Sequence, residues 1–152
     1  MMSELRINTR RHDFRMVDEI SAVDGKHIKG LTSPDGLPVS MAIECLAQLG
    51  ALHARFLTAF KKHCFLLVIE RLDIMEASAP KGALELDGLL IARTGRAFSY
   101  ALQALSGEQV LLDGQLVFAS VDYDDNFKRE RLKSHYQRIF TCLTRGFTTG
   151  SR

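Results

Sequence analysis

Residues Leu37 to Leu57, LPVSMAIECLAQLGALHARFL, form a run that is apolar on nearly every side when wound at helical spacing. A helix of that kind has to be enclosed by the rest of its chain. Proline suits a first helical turn, so the helix is expected to start near Pro38. It is expected to run to about Phe60. Within it, Ser40, Glu44 and Gln48 follow one another at intervals of four, and a carboxylate in such surroundings needs a reason.

The enclosing material must come from the same chain. Its 152 residues are enough for about one domain with a substantial core, with no metal or disulfide support. The net charge of +2 gives no argument for a nucleic-acid partner, and none is expected. Cys45, Cys64 and Cys142 are odd in number and scattered, without a C-x-x-C pair. That pattern favours reduced thiols over a disulfide scaffold or a zinc site. The opening MMSELRINTRRHDF lacks the apolar core of a signal peptide. No apolar run approaches membrane-spanning length. The expectation is a cytoplasmic domain without a membrane span.

Periodicity divides the remainder. FRMVDEI (Phe14 to Ile20) and HIKGL (His27 to Leu31) read as short strands around the turn signal Asp24-Gly25. Thr32 to Gly36 is loop by composition. After the helix come CFLLVIERLDIM, ALELDGLLIA, RAFSYALQAL and QVLLDGQLVFASVDY, separated by turn signals at Pro80-Lys81-Gly82, Thr94-Gly95 and Ser106-Gly107. These suit consecutive antiparallel strands. From Asn126 to Thr144, Leu132, Tyr136, Ile139, Phe140 and Leu143 recur at helical spacing among Lys and Arg, an amphipathic helix. The pattern by itself says α+β.

Two segments carry a more specific signal. RHDFRMVDEI matches, at Arg11, Phe14, Val17, Asp18 and Ile20, a first-strand motif of the form R-Y-P-F-L-L-V-D-R-I. PVSMAIECLAQ matches, at Pro38, Glu44, Ala47 and Gln48, a helix-opening motif P-G-V-L-x-x-E-A-x-A-Q. In these stretches, and more generically in the strands that follow, residues 10 to 123 resemble the β-hydroxyacyl-acyl-carrier-protein dehydratase family. The resemblance implies a hotdog fold, an antiparallel sheet wrapped around one long central helix. Residues 1–125 would form that domain, 126–145 a C-terminal helical extension and 146–152 a tail.

The resemblance also implies chemistry. Dehydration of a 3-hydroxyacyl thioester removes a C2 proton and expels the C3 hydroxyl, which takes a base and an acid. The thioester oxygen gathers charge that a helix N-terminus can stabilise. In the family the base is a histidine and the helix glutamate serves the hydroxyl, across the interface of a dimer. Glu44 is therefore the candidate catalytic residue, with Pro38, Val39, Ser40 and Gln48 as candidate substrate contacts. A carboxylate on a mostly buried helix should have a raised pKa and a partner, or line a pocket. The competing reading makes Ser40, Glu44 and Gln48 a plain polar stripe facing water.

The sequence departs from the family at the base. The G-H-F-P motif that holds the family histidine is absent, and Gly30 stands at its place. The glycine after the helix-opening proline is Val39. None of His12, His27, His53, His63 and His135 is an evident replacement: His53 is more than two turns beyond Glu44, and His63 reads as a cation at the helix end. The expectation is a 3-hydroxyacyl-thioester dehydratase-like protein of fatty-acid or related acyl metabolism. An acyl-thioester hydrolase and a non-catalytic acyl or carrier-protein binding domain are the alternatives. A lone Glu and a helix N-terminus suffice for hydrolysis.

Expected partners are an acyl thioester of acyl carrier protein or coenzyme A and a second copy, in a homodimer or larger even assembly. Lys128, Arg129, Arg131, Lys133 and Arg138 give the terminal helix a basic face that either meets an acidic carrier or is simply solvated. No metal, nucleotide or flavin motif occurs, and no cofactor is expected.

Overall fold

The structure, a computed structural model, describes residues 17–33, 38–76, 82–123 and 129–144. The elements are β1 (Glu19–Val23), β2 (His27–Thr32), α1 (Val39–Leu57), β3 (His63–Ile74), β4 (Leu84–Arg93), β5 (Ala97–Ser106), β6 (Gln109–Val121) and α2 (Arg129–Leu143). Six strands make one antiparallel sheet in the order β1-β2-β4-β5-β6-β3. The chain leaves β2 near one edge, passes through α1, and re-enters at the opposite edge as β3 before returning to β4.

The first strand differs from the sequence expectation. It was expected over Phe14 to Ile20, but β1 covers Glu19–Val23. Pairing explains the shift, because Glu19 sits opposite Leu31 and Val23 opposite Ile28, which carries the strand up to the Asp24 turn. There the Asp24 carboxylate accepts hydrogen bonds from the backbone N–H groups of Lys26 and His27, at 2.8 and 2.7 Å. Arg11, His12, Phe14, most of the Thr32 to Gly36 loop, Pro80, Lys81, the Asn126 start of the terminal helix and the tail lie outside the described residues. The other strand expectations hold to within one or two residues.

Helix α1 stops at Leu57, three residues short of the expected Phe60. Thr58 caps it, the Ala59 N–H donates to the Phe56 carbonyl, and the Phe60 N–H reaches back to Arg55 O at 2.8 Å. This closure places Ala59 and Phe60 in the left-handed region, at φ 54° and 61°. Two non-glycine residues there store strain. Packing holds Phe60 in place, with its ring 5.5 Å from that of Phe140.

The core lies where α1 meets the sheet, against β2 through β6. Alternate residues of β5 and β6, namely Phe98, Tyr100, Leu102, Leu112, Leu116 and Phe118, point into it and are fully buried. Ala42, Cys45, Leu46, Leu49 and Leu52 meet them from the helix. At Gly50 the Phe118 ring lies so close that a Cβ would come within 2.5 Å of it. The Phe118 ring of β6 packs there directly on the helix backbone. From α2, Ile139 and Phe140 pack onto this core, as their spacing anticipated. The side chains of Leu132, Leu143 and Cys142 are outside the described residues. Cys45 and Cys64 are buried and not joined in a disulfide.

Candidate active site

Among the described residues, helix α1 opens without a capping side chain. Pro38 is extended at φ −69°, ψ 162°, makes no side-chain cap bond, and no acidic residue occupies the first turn. The partial positive charge of this end is therefore uncompensated by any carboxylate of its own turn. Pro38 and Ser40 are exposed, and the Val39 side chain is outside the described residues.

One turn further, Glu44 is half-buried. Burial pushes its carboxyl pKa above the ordinary value, and a hydrogen bond from the Gln48 side chain pulls partly the other way. The four-residue spacing of the sequence thus brings Glu44 and Gln48 into contact on one side of the helix. A half-buried carboxyl with a raised pKa can hold a proton nearer neutrality and give it to a departing oxygen. The acid is next to an uncapped helix N-terminus, where charge on a carbonyl oxygen is favoured.

The opposite end of α1 is organised differently. His53 is fully buried. Its Nε2 lies 2.7 Å from the Asp24 backbone oxygen and its Nδ1 2.7 Å from the Tyr100 hydroxyl. A carbonyl only accepts, so Nε2 carries the hydrogen and the Tyr100 hydroxyl donates to Nδ1. Desolvation lowers the His53 pKa and raises that of Tyr100. Both groups are held neutral, and the imidazole is a strut between α1, β5 and the β1–β2 turn.

Arg55, a charge the sequence leaves without a role, is also buried, at 5% exposure. Its guanidinium carbon lies 3.6 Å from the centre of the Tyr136 ring on α2, and one terminal nitrogen is 3.5 Å from His63 Nδ1. Its Nε is buried without a hydrogen-bond partner. A hint was available in sequence, since the positions three and four residues away on either side are Ala51, Leu52, Thr58 and Ala59, none acidic. The expectation for His63 is corrected: it is not a dipole-facing cation at the helix end but a buried residue at the start of β3. The short connection after Leu57 turns the chain into the sheet before His63 is reached.

Among the described residues no His, Cys, Asp and Glu side chains group to hold a metal ion. Nor is any helix there long and apolar enough to cross a membrane.

No protein-family model and no curated protein sequence matches this chain. Solved structures do. A dehydratase heterocomplex, ApeI:P, from Xenorhabdus doucetiae superposes with a TM-score of 0.62 at 17% identity, over 74% of this chain and 85% of that one. A mutant thioesterase from Pseudomonas aeruginosa gives 0.63 at 11% identity, over 80% and 94%. A thioesterase from Haemophilus influenzae gives 0.63 at 13% identity, over 80% and 91%. Identities this low speak to architecture and not to activity. Six antiparallel strands in this order, with a helix against them, give the chain the hotdog fold of those dehydratase and thioesterase structures.

Proposed function

We propose that the chain is a 3-hydroxyacyl-thioester dehydratase-like protein in which α1 is the central helix of the hotdog and Glu44 is the catalytic acid. The observation that carries this reading is the half-buried Glu44, its pKa raised by burial, beside an uncapped helix N-terminus. The thioester carbonyl lies over the first turn, beside Pro38, where the backbone N–H groups of Val39 and Ser40 donate to its developing oxyanion. Glu44 faces the C3 hydroxyl, and Gln48 orients the carboxyl. The substrate hangs from the pantetheine arm common to acyl carrier protein and coenzyme A. The hotdog domain spans residues 1–125, and 126–145 form the helical extension.

Assembly follows from the sheet edge. β3 is twelve residues long, has no neighbouring strand on its outer side among the described residues, and exposes Phe65, Leu67, Val68 and Ile69. A long apolar edge of this kind invites a partner, so the chain forms at least a dimer through it. That the similar dehydratase is a heterocomplex supports assembly with a second chain.

Hydrolysis of the thioester is the second reading. It is favoured by the thioesterases among the similar structures and by a carboxylate standing without a histidine beside it among the described residues. One assay separates the two. Purified protein is given 3-hydroxyacyl and saturated acyl pantetheine thioesters, and enoyl product and free thiol are scored separately, with Glu44→Gln alongside. The expected result is enoyl product that falls by about a hundredfold or more in the variant. Free thiol lost in the variant instead makes the protein a thioesterase. Activity of either kind that survives Glu44→Gln removes Glu44 from the chemistry.

A further inference from the structure

Arg55 is buried at 5% exposure, and neither the core nor the chemistry at Glu44 uses its charge. A guanidinium stays protonated inside proteins, so it cannot escape burial by losing a proton. Tyr136 covers one face of it at 3.6 Å, and His63 Nδ1 lies 3.5 Å from one terminal nitrogen. Neither contact brings a negative charge. No carboxylate pairs with the guanidinium among the described residues, and its Nε is buried without a hydrogen-bond partner. A buried cation without a counter-charge is costly, and an aromatic ring recovers only part of that cost. An anion is the group this position lacks.

The helix sets this cation in line with Glu44. Eleven residues separate the two, about three turns, so both stand on one face of α1. Along the axis they are about 17 Å apart. That face is the least enclosed side of the helix. Ser40 is exposed there and Met41, Glu44, Gln48 and Ala51 are half-buried, whereas Ala42, Cys45, Leu46 and Leu49 are buried in the core. Only at Arg55 does the strip close, under Tyr136 of α2. With the thioester over the first turn and C3 at Glu44, the acyl chain beyond C3 runs along this strip toward Arg55. An extended carbon chain covers the distance in about fourteen bonds.

We propose that Arg55 holds a carboxylate at the far end of the acyl chain, so that the substrates are long acyl thioesters with an acidic terminus. The inference rests on the acyl-thioester reading of the Glu44 site. A planar carboxylate lies edge-on to the guanidinium and accepts from Nε and a terminal nitrogen, while Tyr136 keeps its place on the face. A methyl group at the same point leaves Nε without an acceptor and the cation without a counter-charge. Arg55 therefore selects the substrate from its remote end and takes no part in the bonds that change at the thioester end.

The test compares acyl pantetheine thioethers, which neither dehydrate nor hydrolyse, in pairs of equal length that end in a methyl or a carboxylate group. Calorimetry on the purified chain gives their affinities over a series of lengths. The carboxylate-ended analogue is expected to bind tighter by about tenfold or more at the length that reaches Arg55. Arg55→Met is expected to bring the two to equal affinity. Equal affinity in the original chain at every length, or a preference for methyl, overturns the inference, and that comparison needs no variant to fold. A carboxylate preference that survives in folded Arg55→Met overturns it as well. The corresponding 3-hydroxyacyl thioesters are then scored for enoyl product and free thiol. Turnover lost in Glu44→Gln, together with indifference to the terminal group, overturns the inference and leaves the Glu44 reading intact. Binding of neither analogue, with turnover of neither thioester, overturns both.

Discussion

The two halves of α1 belong to one helix and obey opposite rules. Around His53 the imidazole and the Tyr100 hydroxyl are paired and kept neutral, the aromatic rings of Tyr100, Phe56 and Phe140 close in, and Arg55 Nε is the buried polar atom left over. Around Glu44 a carboxyl is half-buried with Gln48 as its neighbour, and the helix end goes uncapped. The first half has the economy of a structural joint. The second keeps a cost that folding alone does not require, and such places are where function is found. Substitutions at the His53 end should therefore be felt mainly in stability, and those at the Glu44 end mainly in turnover.

The largest stability effect is expected at His53. Replacement by Ala opens a cavity and leaves the Tyr100 hydroxyl without its acceptor, a cost of about 3 kcal/mol. Chemical denaturation measures it directly. Turnover per folded molecule should change little, and a full loss of turnover with stability intact would erase the distinction between the halves.

The pH dependence of stability should separate them by sign. His53 has a folded pKa below its unfolded value of about 6.5, so the unfolded chain takes up its proton first. Its contribution is complete above that pH and is lost as the solution becomes more acid, down through the folded value. Glu44 runs the other way. Its folded pKa is raised above the unfolded value of about 4.3, so its contribution is complete below that pH and is lost as pH rises through the folded value. Denaturation midpoints across pH should show the acid-side fall flattened in a His53→Gln variant. The fall on the rising side should disappear in Glu44→Gln. Equal pH profiles in both variants would deny the difference in environment.

Arg55 sharpens the comparison with the smallest effect. A buried guanidinium with an unpartnered Nε and no carboxylate partner among the described residues adds little net stability. Arg55→Met keeps the stem packed against Tyr136 and should leave stability within about 1 kcal/mol of the original. A loss of several kcal/mol, read by the same denaturation, would mean that the charge is paired after all.

Much of this molecule was legible before any coordinates. The alternation FSYALQAL puts Phe98, Tyr100, Leu102 and Ala104 on one face of a strand, and those four are buried. Four-residue spacing put Glu44 and Gln48 side by side, and they are in contact. The end of α1 was less legible, because its apolar residues continue to Phe60. The helix stops at Leu57, and the left-handed turn after it sets the Phe60 ring against Phe140. The shift of β1 has a similar cause, in that pairing with β2 outweighed the local apolar pattern. The contact of Arg55 with Tyr136 was not legible, since nothing in its own helix says that α2 will fold over it.

By itself the sequence determined the elements, their order, the apolar helix and the lone carboxylate on it. Each is written in spacings of two, three or four residues along one stretch of chain. The tertiary structure alone decided which polar groups are used up. That His53 is spent on Tyr100 and the Asp24 carbonyl depends on groups 47 and 29 residues away. Whether a side chain is buried, paired or left available is a property of what the whole fold brings against it, and local periodicity carries no record of that.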